Sequence, residues 1–287
     1  MKNLFLFISI SSCLLCLGQD DDIEDWQYTK QKNKTTDAKP IAHKLSIGTG
    51  LSSYSGDLNH SISSITPELC FTLGFRYYIK EKLTIKPQFT LVQLSGDDAK
   101  TGDIKRNLSF KSTNYEWCIN INYDFIKYQP RWDLRKKISP YISANIGGLF
   151  FSPKAEYDGK SYDLQSLQTE GVEYSKFTWI TSLGFGTRLA ITPRSNINFE
   201  ARYTYAFSDY LDDVSENYRD VNDLTGIASI LSDRTTEGGY TPDNSLDGTH
   251  WTEGSKRGSR GLNDSYLLFL IEYEFDIFSH QIVHPIF

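Results

Sequence analysis

His43, His60, His250, His280 and His284 are the chain's five histidines and the first residues to weigh for chemistry. His60 precedes Ser61 and follows Asp57, so the residue types of a nucleophilic triad lie in one short stretch. A triad needs its base held between nucleophile and carboxylate by rigid elements, yet all five histidines fall in a leader, loops or a tail. A solvated loop histidine is the better reading of His60. Asp209, Asp212 and Asp213, with Glu216 and Asp220, gather oxygen ligands of the kind that hold Ca²⁺. Their spacing matches no cation loop, which predicts a solvated acidic loop. Gly48-Thr49-Gly50 and Gly184-Phe185-Gly186 lack the third glycine and following helix of a dinucleotide site, and instead relieve crowding or mark a bend. No cofactor, metal or small-molecule substrate is expected.

The elements that would position these residues are strands. Leu69, Phe71, Leu73, Phe75 and Tyr77 alternate with Glu68, Cys70, Thr72, Gly74 and Arg76, one face fit for lipid and the other polar or small. The same period of two runs through Leu83–Leu91, Tyr115–Phe125, Phe177–Leu189, Ile197–Phe207 and Leu267–Ile277. Leu45–Leu51 and the glycine-containing Tyr141–Phe151 are weaker strands that bring the set to eight. An even number of amphipathic strands predicts an all-β fold, an eight-stranded antiparallel transmembrane barrel with long external loops, because closure removes the edges that lipid cannot solvate. Eighteen tyrosines, seventeen phenylalanines and a single methionine suit such a wall. The net charge of −6 offers no basic surface for nucleic acid.

Lys2 followed by the apolar run Leu4 to Leu17 reads as a signal peptide over 1–18, its core too short to span as a helix. Ile10-Ser11-Ser12-Cys13 offers a second reading, a lipoprotein box acylated at Cys13. The domain plan is then a signal peptide, a flexible periplasmic leader over 19–43, a barrel over 44–278 with a long mobile insert at 221–261, and a tail over 279–287. Cys70 and Cys118 fall on strands separated by a third, so they are read as buried, unpaired thiols. Tight turns at 80–82 and 192–196 contrast with long links at 95–107, 152–175 and 208–263, the asymmetry of periplasmic turns and external loops.

An eight-stranded barrel is only wide enough to fill with side chains. The inward set Arg76, Lys86, Glu116, Arg188, Glu200, Arg202, Glu272 and Glu274 therefore predicts a salt-bridged plug without a channel. One periplasmic link, 126–139, is longer than the others and carries Lys127, Arg131, Trp132, Arg135, Lys136 and Lys137. Two readings stand there: anchoring at lipid headgroups, or a docking surface for a periplasmic partner.

Five strings occur in order: Tyr54-Ser55-Gly56-Asp57-Leu58-Asn59; Arg106-Asn107-Leu108-Ser109-Phe110; Ser139-Pro140-Tyr141; Leu164 and Leu167 with Thr169-Glu170-Gly171; and Asp209-Tyr210-Leu211-Asp212-Asp213-Val214-Ser215. Together they resemble the PorG family, outer-membrane barrels of the type IX secretion system of Bacteroidetes, from Leu45 to Ile277. The resemblance implies a non-enzymatic, integral outer-membrane protein that tethers a periplasmic ring of PorK-like lipoprotein and PorN-like subunits, with gliding motility among the linked processes. It carries over no catalytic residue, and the 221–261 insert departs from the family's compact final loop. Read from their types alone, Asp57 and Asp209 accept backbone hydrogen bonds in turns, and Gly56 and Gly171 supply positive φ. The alternative function is a small adhesion or membrane-integrity barrel acting through its external loops; a lipid-modifying enzyme ranks third.

Overall fold

The computed structural model describes residues 43–59, 66–101, 105–129, 132–242, 250–259, 261 and 263–277. The expected signal peptide, the leader through Ala42, the tail, His60, Ser61, Arg131, His280 and His284 lie outside the described residues.

Alternation of apolar and polar residues builds eight long strands: β1 (His43–Ser55), β2 (Glu68–Lys80), β3 (Leu83–Asp97), β4 (Ser109–Asp124), β5 (Ile138–Phe150), β8 (Phe177–Ala190), β9 (Ser195–Ala206) and β10 (Ser265–Asp276). Between β5 and β8 stands a small hairpin of β6 (Pro153–Tyr157) and β7 (Lys160–Asp163), paired to the upper part of β4 through Ser112 and Lys111. Each long strand runs antiparallel to the long strands before and after it, and β1 pairs with β10. The sheet therefore closes into an eight-stranded up-and-down barrel, as the strand count and alternation predict.

The barrel inverts the usual distribution of a water-soluble protein. Leu183, on the outer face, is 71 % exposed, whereas Arg202, on the inner face, is 0 % exposed. Ile47, Phe71, Ile119, Ile146, Phe185 and Ile271 continue the outer apolar band. Aromatic rings border it: Phe150, Phe177 and Trp179 pack in series towards one end, and Tyr123 meets Phe125 near the other. A contiguous band of this size would drive aggregation in water and is stable against hydrocarbon. No described helix is long and apolar enough to cross a membrane.

The two ends differ. Turns 81–82 and 191–194, the link 125–137, the start of β1 and the end of β10 share the turn end. The described residues of 56–67, 98–108, 151–176 and 207–264 share the loop end. Short helices stiffen that end: α1 (Asp98–Thr101), α2 (Leu164–Leu167) and α3 (Ile227–Ser232). Asp163 caps α2 by accepting from the Ser166 N–H, and Gln168 closes it in the left-handed region.

Three expectations need correction. His43 belongs to β1, where its ring lies 5.2 Å from that of Tyr77, and so does not sit in a leader. The 221–261 segment is not a loop without an apolar face, because α3 buries Ala228 and Leu231, and Leu231 joins the apolar cluster of the loop end. Helical spacing over only two turns is too brief to register against the surrounding Gly, Asp, Ser and Thr. Asp212 and Asp213 are buried, not solvated, and Asp209 is nearly so.

Candidate functional site: the loop cap and the turn-end mouth

Four of the five sequence strings meet at the loop end, although they are far apart in the chain. Leu211 and Val214 enter an apolar cluster with Tyr54, Leu58, Leu108, Phe110 and Leu164. Burial of these side chains draws the intervening aspartates out of water, and each then needs donors. Asp213 accepts from the Tyr174 hydroxyl at 2.6 Å and from Thr169 at 2.5 Å. Asp209 accepts from Ser215 at 2.7 Å, and Tyr210 stacks on Tyr174 at 4.5 Å between centroids. Burial pushes the Asp213 carboxyl up to about 6, against the pull of Arg257, and raises Asp209 to about 6 as well.

Two arginines bind the segments together. Arg257 donates to Glu170 at 2.8 Å and to the Asp213 carbonyl at 2.7 Å, while Glu170 accepts the Ser215 and Glu216 N–H groups. Arg106 donates to both oxygens of Asp98 at 2.8 Å and to the carbonyls of Asp57 and Arg257 at 2.6 Å. Asp57 in turn accepts the Ser259 N–H at 2.8 Å. Gly171 has φ +73, as expected, but Gly56 is required for a different reason. A Cβ at Gly56 would lie 2.1 Å from both the Tyr54 hydroxyl and an Asp264 oxygen.

That crowding marks a tight polar contact of the cap. The Tyr54 hydroxyl lies 2.6 Å from Asp212 Oδ2 and 2.5 Å from Asp264 Oδ1. A phenol has one proton to give, so two ionised carboxylates cannot both be satisfied at these distances. Asp212 accepts N–H donors at both oxygens, from Val214 and Leu58, which favours its charged form. Asp264 accepts the Leu211 N–H at Oδ2, and its Oδ1 faces only Tyr54. One proton is therefore held within the pair; burial raises the Asp212 carboxyl too, to about 8, but its two N–H donors favour the arrangement in which Asp264 Oδ1 donates to Tyr54 and Tyr54 donates to Asp212. Burial and the Asp212 charge hold the Asp264 carboxyl well above the usual carboxylate range.

The inward charged set lies below this cap, and all eight of its members are buried. Pairs join non-adjacent strands: Arg202 on β9 reaches Glu116 on β4 at 2.8 Å, Lys86 on β3 reaches Glu272 on β10 at 2.8 Å, and Arg76 on β2 reaches Glu274 at 2.5 Å. Arg188 pairs with Asp124 at 2.5 Å and lies 3.6 Å from Glu274. Glu200 has no direct cation and accepts instead from Tyr141 at 2.8 Å and Ser143 at 3.1 Å. Tyr141, from the string that does not join the cap, thus belongs to the plug. Cys70 and Cys118 are free and buried.

At the turn end, Arg135 ties the 125–137 link to the barrel by donating to the carbonyls of Gln129 and Pro193 and to the Tyr128 hydroxyl. Its guanidinium sits 4.6 Å from the Tyr128 centroid and 5.8 Å from that of Trp132, while Lys137 Nζ covers Trp132 at 3.4 Å. Lys127 pairs with Glu81 at 3.0 Å, and Lys136 is exposed. Sequence patterning misses Asp98, Arg257 and Asp264, because each acts through partners distant in the chain. Arg257, in the run Gly254-Ser255-Lys256-Arg257-Gly258, has the look of a solvated cation.

Residues 33–227 match a family described as a domain of unknown function, DUF6089, and the chain belongs to that family. No curated protein matches the chain. Among solved structures, it is similar to Neisserial surface protein A, at 11 % identity and TM-score 0.42 over 82 % of this chain and 96 % of that one. It is also similar to Ail, the attachment invasion locus protein of Yersinia pestis, in complex with the heparin analogue sucrose octasulfate, at 13 % identity and TM-score 0.38 over 82 % and 99 %. The outer membrane protein OprG of Pseudomonas aeruginosa aligns at 12 % identity and TM-score 0.37 over 82 % and 97 %.

Proposed function

We propose that this DUF6089 member is a non-enzymatic anchor, integral to the bacterial outer membrane, that holds periplasmic ring subunits of a type IX secretion machine resembling the PorK lipoprotein and PorN. The filled interior carries the reading. Ion pairs between non-adjacent strands occupy the lumen, so the barrel does its work at its ends and not through its centre. The apolar outer band favours the membrane location, and the ordered loop strings favour the secretion family. The 125–137 link supports docking because Arg135 fixes it in one shape with Lys136, Lys137 and Trp132 on its surface. Arg131, assigned to this link from the sequence, lies outside the described residues.

The test is affinity isolation from detergent-solubilised outer membranes. Charge reversal at Arg131, Lys136 and Lys137, with Arg135 kept to hold the link, is expected to remove ring subunits from the isolated complex while the barrel still inserts. Undiminished recovery would rule out this face as the tether. The external-loop reading has its own support in the cap, whose segments form one folded surface. It predicts lost adhesion or envelope integrity when Leu211 and Val214 are replaced by polar residues.

A further inference from the structure

The outer wall of the barrel is not evenly covered. Strand register sets Leu69, Leu51, Phe269, Ala201 and Phe185 in one outward row across β2, β1, β10, β9 and β8. Ala201 is the one small side chain in that row, and Thr49 and Thr187 flank Ile271 and Phe199 in the next row towards the turn end. The larger side chains stand around them, leaving a shallow groove of about 600 Å³. Its lining offers nothing to a polar ligand. The Thr49 hydroxyl already donates to the Cys70 carbonyl at 3.0 Å, and that of Thr187 is buried. Glu200 contributes to the lining, but its carboxylate faces the lumen, where Tyr141 and Ser143 donate to it.

We propose that this groove is a binding site for one acyl chain of a bilayer phospholipid. It is continuous with the apolar outer band: Phe71 of that band neighbours Thr49, and Ile271 lines the groove itself. What fills it in a membrane is hydrocarbon. The row is about 19 Å long at a strand spacing of about 4.8 Å, against the roughly 15 Å that one chain reaches through half of a hydrocarbon core. Barrel strands tilt by about 35–45°, so a row across them climbs obliquely and a chain can enter it from the membrane interface. Bulk lipid is as apolar as the groove, so hydrophobicity does not hold the chain there. The added dispersion contacts of a concave wall over a convex one do. A transmembrane protein segment is disfavoured because the groove has no open polar group to bond it. The inference rests on the membrane location in the reading above and not on the secretion role.

The experiment uses the full chain, isotope-labelled at Ile and Leu methyl groups, in phospholipid nanodiscs doped with phosphatidylcholine that carries a nitroxide at mid-chain. Nuclear relaxation by the nitroxide is expected to be about threefold greater at Ile271 and Leu51 than at Ile146 on the opposite wall. Contact with bulk lipid alone predicts the reverse order for the two isoleucines, because Ile146 is 64 % exposed and Ile271 51 %. Ala201→Phe, which fills the groove with an apolar side chain, is expected to bring Ile271 down to the level of Ile146, and Ala201→Leu to do so in part. Ala144→Phe, the same exchange at an exposed position of β5 outside the groove, is expected to change nothing at Ile271. Heat-modifiable migration in electrophoresis verifies that each variant folds, and Ala201→Leu keeps the test decisive if Ala201→Phe does not. Equal or greater relaxation at Ile146 in the parent chain, or relaxation at Ile271 indifferent to the Ala201 variants, would overturn the proposal. So would a fall from two copies to one in sedimentation on Ala201→Phe, which would make the groove a contact between copies. A chain that does not insert into the discs would overturn the membrane location together with the groove, whereas an inserted chain without selective relaxation overturns the groove alone. No ring subunit enters this experiment, so its failure is separable from failure of the isolation experiment.

Discussion

The lower lumen and the loop cap both bury clusters of charge-bearing residues, and they satisfy them by different means. In the lumen, Lys86, Arg76, Arg188 and Arg202 each meet a carboxylate from a strand that is not their neighbour. In the cap, Asp57, Asp209, Asp212, Asp213 and Asp264 outnumber the cations Arg106, partly buried, and Arg257, buried, and are satisfied by hydroxyls, backbone N–H groups and one retained proton. Fixed strand register explains the contrast. Rigid walls present opposite charges at matching heights, whereas a cap made of loops can bend backbone N–H groups towards carboxylates and needs fewer cations. The lumen is therefore sensitive to removal of a charge, and the cap to removal of an acceptor or a proton.

The sharpest way to break this contrast is Arg202→Met. Glu116 would keep the Tyr266 hydroxyl at 2.6 Å but lose its one paired cation among the described residues, in a site that is 0 % exposed. Stranding a buried charge costs about 3–5 kcal/mol, which guanidinium unfolding in micelles would read as a large fall in midpoint. Adding Glu116→Gln should restore most of the loss, because removing both members of a buried pair is often close to neutral. A stable single variant would mean that water, and not pairing, satisfies the lumen.

The cap has a smaller and pH-dependent counterpart. Asp212→Asn places an amide N–H₂ where Val214 or Leu58 now donates, and loss of that acceptor should cost about 1–3 kcal/mol. Asp264→Asn mimics the protonated acid: its N–H₂ faces Tyr54 and its oxygen still accepts from Leu211. Raised carboxyls bind more protons folded than unfolded, so the native cap has full stability from them below about pH 4, the unfolded value. That contribution falls as pH rises through about 6 for Asp209 and Asp213, and at higher pH for Asp264, whose carboxyl feels the charges of Asp212 and Asp209. Deuterium uptake at residues 211–215, corrected for base catalysis, should show the cap loosening from pH 4 to 8. Asp264→Asn should reduce that slope; an unchanged slope would mean that the proton is not held at Asp264.

What could be read in the sequence follows the same division. Period-two alternation is a local signal, so the strands, their even number and the inward set Arg76, Glu116, Arg202 and Glu274 are legible before any fold is known. The pairing of Arg202 with Glu116 is not, because register around a closed barrel depends on every intervening strand. The cap was legible only as ordered strings. Asp212 and Asp213 look like solvated loop residues until Leu211 and Val214, on either side, are seen to enter a shared apolar cluster. Asp264 gives no signal, since its role depends on Tyr54, 210 positions earlier.

The smallest expected effect lies at the surface of the turn end, and it limits the comparison from outside. Lys127 and Glu81 are as close, at 3.0 Å, as several of the lumen pairs, but their side chains are 62 % and 58 % exposed. Water already solvates both ions, and holding two long side chains together costs rotamer entropy, so Glu81→Gln should change stability by no more than about 0.5 kcal/mol. The same unfolding measurement that reads Arg202→Met can read this variant. Similar losses in both would show that proximity of charge matters more than burial. The far smaller loss expected at Glu81 would place the difference in desolvation, which the lumen imposes and the exposed link does not.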